Sequence, residues 1–445
     1  MHLDKTKTYH FIGIKGSGMS ALALILHGEG YKVQGSDVGK YFFTQQELEN
    51  HEIPIFTFDA DNIQSDYVVI GGNAFGEDHP EIQQAQALDC EFYRYHDFLG
   101  KMIEGYISIG ITGSHGKTST TGLLAHVLSH LAPTSYLIGD GTGSGDEEAT
   151  YFVLEACEYR RHFLAYSPDY AIITNVDFDH PDYFRSIDDV FDAMTTFANQ
   201  AKKAIIACGE DPLLRQIEAS VPIHYYGLTE ECDIQATQIE RTVEGSNFDV
   251  IYYGQNMGHF SIPVYGEHNI LNALAVIGVL LEEGFDSVQI QKYLANFPGV
   301  KRRFSSRQVN QLTIIDDYAH HPSEIEATID AAKQRYPDRE IVAIFQPHTF
   351  SRTTALLSEF AEALKQSDVI YLVDIFTSAR EQSGRVRIED LASLIGDEVE
   401  LISQDHLSPL MDYEDAVILF MGAGDIDELS KHFEQSYAQL RPNLL

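Results

Sequence analysis

The stretch "GITGSHGKTSTTGLLAHVL", Gly110–Leu128, decides how the rest of the chain is read. Its first residues close an apolar run, "YISIGI", with the character of a buried strand. Next comes a glycine-rich turn holding one lysine, then an apolar segment with helical spacing. A strand–turn–helix of this kind points backbone N–H groups inward and adds the positive end of the helix, so it holds phosphate. Gly113, Ser114, His115, Gly116, Lys117, Thr118 and Ser119 are therefore the expected phosphate loop. Lys117 reaches for the outer phosphate oxygens, and the Thr118 hydroxyl is placed to meet Mg²⁺. The loop is a variant, because Ile111 stands where the full pattern G-x-x-x-x-G-K-[ST] has its first glycine.

A second glycine turn lies about a hundred residues earlier, in "GIKGSGMSALALIL", residues 13–26. It too follows an apolar strand pattern, "YHFIGI", and opens a helix. Its spacing departs from G-x-G-x-x-G, so the turn is expected to hold a diphosphate without specifying a dinucleotide. Asp37, at the end of the following strand "YKVQGSD", stands where a ribose-binding acid sits in dinucleotide folds. Close helix–sheet packing is the alternative use of such a turn.

Strand and helix periods alternate outward from these two turns. "YFVLE", "YAIITN" and "KAIIACG" follow the first stretch, and "LTIIDDY", "EIVAIFQPH", "DVIYLVDI" and "AVILFMGAG" form a later set. Such alternation implies parallel sheets covered by helices, with ligands at the carboxyl ends of the strands. A chain of 445 residues exceeds one hydrophobic core. The expected fold is α/β in three domains: residues 1–104, 105–304 and 305–445. The second boundary falls near the basic stretch "VKRRFSSR".

Composition narrows the partners. A net charge of −37 disfavours nucleic acid and anionic lipid. No apolar run approaches the roughly 18 residues of a membrane span. "MHLDKTKTYH" shows no secretory signal, and the four scattered cysteines suit a reducing cytoplasm. The acidic balance also means that cations must be gathered wherever phosphates bind, and "KRR" at 301–303 is such a cluster. Among strand-end groups, Glu155 and His180 are candidate Mg²⁺ ligands, with Asp177 and Asp179 in competition.

Nine blocks in one order, among them "GIKGSGMSALA", "GITGSHGKTSTTGLLAHVL", "EACEYRRHFL", "TNVDFDHPDYF", "YGEHNILNALA", "GVKRRF", "DDYAHHPSEI" and "FQPHTFSRT", resemble the ATP-dependent amino acid ligases of peptidoglycan precursor synthesis. The likeness covers essentially the whole chain and is nearest the alanine-adding branch. It implies a Rossmann-like N-terminal domain, a central P-loop ATPase domain with a parallel sheet and a Rossmann-like C-terminal domain that closes over the site. It implies UDP-N-acetylmuramate and L-alanine as substrates, with ATP and Mg²⁺, and an acyl phosphate on the way to the amide.

The resemblance places the UDP portion on Gly16, Ser17, Gly18, Met19 and Ser20, with Ser36, Asp37 and Asn73. It adds Asn269 and Arg302 to the ATP loop, sets Thr118, Glu155 and His180 as metal ligands, and brings Tyr318, His320, His348 and Arg352 near the amino acid. Lys117, His180 and Arg302 are the expected catalytic groups. His180, His320 and Glu158 are candidates for the base that takes the amine proton. His321 is read as a helix cap and Arg303 as a surface charge. Two departures stand out: Cys157 occupies a position where many relatives carry an acid, and Thr195 one where other branches carry a modified lysine. A ligase that attaches a whole peptide to the same sugar nucleotide, a nicotinamide-dependent oxidoreductase and a non-catalytic nucleotide switch remain the alternatives.

Overall fold

The structure, a computed structural model, describes residues 3–377, 381–396 and 399–440. Three sheets follow one another along the chain. The first is fully parallel, in the order Ile55–Thr57, Lys32–Asp37, Thr8–Ile12, Val68–Gly71, Glu91–Arg94. The chain reverses its direction of travel across the sheet beside Thr8–Ile12, so a crevice opens at the carboxyl end of that strand. The 13–18 turn lies there, with Asn73 exposed just after the neighbouring strand.

The second sheet has ten strands. Its parallel centre runs Ile223–Gly227, Ala204–Cys208, Tyr170–Ile173, Ile107–Thr112, Tyr151–Glu155, Thr134–Leu137. Strand Ile107–Thr112 is flanked by Tyr170–Ile173 on one side and Tyr151–Glu155 on the other. That neighbourhood puts the 113–116 turn between Glu155 and the segment 174–180. Beyond the parallel centre, Ile234–Thr242, Gly245–Tyr252 and Gln255–Ile262 form an antiparallel extension, half exposed and interrupted by a bulge between Thr237 and Glu240. The third sheet has six strands. It begins with the antiparallel hairpin Ser305–Val309/Leu312–Asp317 and continues in parallel through Ala416–Met421, Glu340–Phe345, Val369–Leu372 and Val399–Leu401.

One packing detail joins the first two units. Helix Ser17–Gly28 buries every residue from Met19 to Leu26, rather than a single stripe. One side covers its own sheet, and the other meets strands Thr134–Leu137 and Gly143–Ser144 of the second unit. A Cβ at Gly143 would overlap the Ala21 carbonyl, so the helix backbone approaches as closely as glycine alone permits. Glu29, buried just past this helix, accepts from Tyr106 Oη at 2.9 Å and Ser135 Oγ at 2.6 Å of the second unit.

Candidate active site

The lysine loop is built as its sequence predicts. Gly116 adopts φ +80°, left-handed geometry that costs glycine little, and helix Lys117–Leu131 starts at once. Lys117 Nζ donates to Gly113 O at 2.5 Å and Ser114 O at 2.9 Å, and lies 3.0 Å from Glu158 Oε2. Burial works against the ammonium, but Glu158 and then Glu155 outweigh it and raise its pKa. Glu158 itself is buried, with its Oε2 held by this charge and no aligned hydrogen bond.

Around the lysine the structure gathers three more donors. Thr118 hydrogen-bonds Glu155, whose Oε2 also accepts from Gly139 N at 2.9 Å. Burial raises the Glu155 pKa. His180 Nε2 stands 3.3 Å from Glu158 Oε1, and Cys157, Glu158 and His180 present donor atoms within 4.8 Å of one another. His180 holds a left-handed φ of +55°, a strained geometry for a non-glycine residue. Two carboxylates and a hydroxyl beside a phosphate loop are hard oxygen donors of the sort Mg²⁺ takes, and Lys117 is a single cation set against both Glu155 and Glu158.

The next shell crosses into the third unit. His115 Nε2 lies 3.1 Å from Asp177 Oδ2 and His115 Nδ1 3.7 Å from Glu324 Oε1. Burial disfavours the imidazolium, yet the bonds to Asp177 and Glu324 carry its pKa up to about 9. His321 caps helix Pro322–Arg335 by accepting from Ser323 N, and its ring sits 4.3 Å from that of His115. Burial, then the neighbouring His115 charge, brings His321 down to about 4, so it stays neutral. Arg352 donates from Nε and Nη2 to one oxygen of Asp179, at 2.8 and 2.7 Å. The same Asp179 oxygen accepts from His180 N at 2.6 Å. Burial alone would raise the Asp179 carboxyl, but Arg352 holds it well below the usual range.

Tyr318, His320, His348 and Arg352 come together in the structure. Ring centroids separate Tyr318 from His320 by 5.2 Å and His320 from His348 by 6.3 Å, and Arg352 Nη1 is 3.4 Å from His348 Nδ1. His320 Nδ1 faces Tyr318 O at 2.9 Å and Glu324 Oε2 at 3.0 Å. Two acceptors at Nδ1 match a ring N–H there, and Nε2 makes neither of these contacts.

Beside the loop a cavity of about 670 Å³ opens between the second and third units. Asn269 lines it, as do His115, Gly116 and Ser119. Arg302 does not. It carries a left-handed φ of +56° and points to Gly424 O at 3.3 Å and Asp427 Oδ1 at 3.6 Å, while Arg303 turns into the cavity and pairs with Glu324. Both guanidinium groups lie over the Tyr318 ring, at 5.0 and 5.3 Å from its centroid. Tyr265, His268, Asn272 and Arg335 line the cavity without having been singled out from the sequence. Of these, His268 and Asn272 share the first turns of helix Glu267–Glu282 with Asn269, which was the available signal.

At the first turn, Gly16 and Ser17 are exposed and Gly18 half-buried, whereas the Met19 and Ser20 side chains point into the core. Asp37 accepts from Lys15 N at 2.8 Å and Val38 N at 2.7 Å, so it braces the turn. Ser36 directs its hydroxyl inward to Glu81, beside His10, rather than toward the crevice.

Known proteins share this arrangement. Residues 8–107 match the Mur ligase family catalytic domain, 111–280 the Mur ligase middle domain and 302–424 the Mur ligase glutamate ligase domain. The UDP-N-acetylmuramate–L-alanine ligase of Levilactobacillus brevis is 56% identical over 98% of this chain and 99% of its own. That of Pediococcus pentosaceus is 57% identical over 98% of this chain and 100% of its own. The crystal structure of the UDP-N-acetylmuramate–alanine ligase from Thermotoga maritima superposes with a TM-score of 0.80 at 28% identity, covering 97% of this chain and 99% of that one. A murein peptide ligase from Psychrobacter arcticus shares the fold, with a TM-score of 0.68 at 23% identity over 97% of this chain and 98% of its own. With three consecutive family domains and relatives matched from end to end, this chain is a member of the Mur ligase family.

Proposed function

We propose that the chain joins L-alanine to the carboxylate of UDP-N-acetylmuramate with ATP as the driving substrate, a step in peptidoglycan precursor synthesis, and that it works in the cytoplasm. The observation that carries this reading is the 56–57% identity to ligases of that name along the full length. We take residues 1–104, 105–304 and 305–445 as its three working domains.

ATP would place its phosphates on Gly113–Ser119 and its base in the 670 Å³ cavity, against Asn269 and Arg303. The sugar nucleotide would lay its diphosphate on Gly16–Ser17. The substrate carboxylate then attacks the γ-phosphorus, ADP leaves, and an acyl phosphate forms. Two unit charges 4 Å apart repel by ~4 kcal/mol at an effective dielectric of 20, so the approach needs cations held in place beforehand. Lys117 supplies one, moving its ammonium from the loop carbonyls to phosphate oxygens. Thr118, Glu155 and His180, with Glu158 beside them, would hold Mg²⁺. When bound, Mg²⁺ neutralises phosphate oxygens and keeps them in line for transfer.

Alanine would sit among Tyr318, His320, His348 and Arg352, its carboxylate facing the guanidinium. Its amine must be neutral to attack the acyl carbon, and His320 Nε2 is the oriented acceptor for the proton. The tetrahedral intermediate collapses to amide and phosphate. Closure of the third domain over the second keeps water from the acyl phosphate. The test is phosphate release from ATP with UDP-N-acetylmuramate, comparing L-alanine with a tripeptide. Faster turnover with the tripeptide would reassign the chain to peptide recycling.

A further inference from the structure

The segment between strand Lys32–Asp37 and helix Gln45–Asn50, "VGKYFFT", places three aromatic side chains in water: Tyr41, Phe42 and Phe43, the last 72% exposed. Exposed aromatics grouped in one short loop usually await a ligand or partner. This loop is also held firmly. Lys15 Nζ donates to Val38 O at 2.8 Å and Lys40 O at 3.0 Å, and Thr44 Oγ1 donates to Lys15 O at 2.5 Å. Lys15 belongs to the 13–18 glycine turn, so three hydrogen bonds tie the aromatic loop to that turn.

The three rings are not equivalent. Tyr41 Oη is engaged with Gln46 Oε1 at 3.2 Å, and the Lys40 ammonium covers the Phe42 ring at 5.8 Å. Phe43 has no ring or cation partner among the described residues. It lies against the edge of the diphosphate turn: a side chain built at Gly141 would touch Thr44, Ser17 and Phe43 together, at 3.5, 3.7 and 3.8 Å. In a parallel α/β sheet, a nucleotide with its diphosphate on the first turn directs its ribose to the end of the second strand and its base beyond. Here the second strand ends at Asp37, and the residues beyond it are this loop.

We propose that Phe43 is a stacking platform for the uracil ring of the sugar nucleotide, and so sets the affinity of the first domain for the nucleotide end of its substrate. This rests on the placing of the diphosphate at Gly16–Ser17 proposed above. Stacking tolerates any flat base, so the platform contributes affinity for the nucleotide end of the substrate and is indifferent to the acceptor carboxylate.

The chain contains no tryptophan, so Phe43→Trp introduces a single indole reporter. Its fluorescence should be quenched by UDP alone and remain unchanged by inorganic pyrophosphate. Phe43→Ala should raise the KM for UDP-N-acetylmuramate about fivefold or more, since a stacked base typically contributes at least that factor. The KM values for ATP and L-alanine should hold, and Phe43→Tyr should restore the loss. With a side chain so exposed, none of these variants should shift the melting temperature. No quenching by UDP, quenching by the complete sugar nucleotide alone, or an unchanged KM in Phe43→Ala would each overturn the proposal. Should the unaltered chain fail to make the alanine amide, the ligase reading falls, while the UDP titration of Phe43→Trp still reports on the platform by itself.

Discussion

Arg352 and Asp179 meet across the boundary between the second and third domains, both nearly inaccessible to water, with two guanidinium nitrogens on one carboxylate oxygen. That oxygen also receives the backbone N–H of His180. A single atom thus joins the arginine proposed for alanine to the histidine proposed for the metal.

Asp179→Asn keeps the shape of this contact and removes its charge. Breaking a buried pair from one side leaves the other charge stranded, at a cost on the order of 3–5 kcal/mol. The expected result is a rise of tenfold or more in the KM for L-alanine with the KM for ATP nearly constant, read from steady-state phosphate release. An equal rise in both constants would mean that the pair serves stability alone.

Lys117→Ala should reduce turnover by ~10³-fold or more through loss of phosphate neutralisation. The geometry adds a second effect. Buried Glu158 loses its cation, so the variant should also melt at a lower temperature. Adding Glu158→Gln should recover the melting temperature and leave turnover low. Calorimetry and a single-turnover assay on the two variants separate these contributions.

The His115 imidazolium gives the closed arrangement a pH limit. Its pKa in the folded chain, about 9, stands above the usual 6.5. The stabilisation from Asp177 and Glu324 is therefore complete below about pH 6.5 and fades as pH rises through 9. Small-angle scattering between pH 7 and 10 should show the third domain loosening at the alkaline end. His115→Gln should abolish that dependence; a parallel change in both proteins would assign the transition to other groups.

Arg303 lines the cavity proposed for ATP and Arg302 faces the 424–427 segment. Arg303→Ala should raise the KM for ATP about tenfold, as expected for one charged contact, whereas Arg302→Ala should leave it within about twofold. The opposite pattern would show that the two side chains exchange places on ATP binding.

Much of this fold is legible in the sequence because parallel strands buried on both faces read as short continuous apolar runs ending in polar residues. "YISIGI", "YFVLE" and "YAIITN" announce both their strands and the groups at their carboxyl ends. The antiparallel strands between Ile234 and Ile262 do not. One face is wet, a bulge breaks the alternation, and "IQATQIERT" or "QNMGHFSI" carries too few apolar residues to stand out. Site geometry was legible where a motif fixes the backbone, as in the lysine loop and the His321 cap. It was not legible where adjacent residues differ only in direction. Arg302 and Arg303 are equivalent in a string of letters; with left-handed φ at Arg302 and Phe304, both guanidinium groups lie over the Tyr318 ring, yet only Arg303 lines the cavity while Arg302 reaches Gly424 and Asp427. The inward hydroxyl of Ser36 belongs to the same class, since its partner Glu81 is supplied from a distant helix.

The closeness of Gly143 to the Ala21 carbonyl bears on how such enzymes can be recombined. Helix Ser17–Gly28 is fitted to a surface that lies outside the segment encoding its own sheet. A chimera that grafts the first hundred residues of a relative onto this chain would therefore need to carry the hairpin of strands Thr134–Leu137 and Gly143–Ser144 as part of the same cassette. Without it, the seam between donor and host would fall across a backbone-to-backbone contact with no slack to absorb a mismatch.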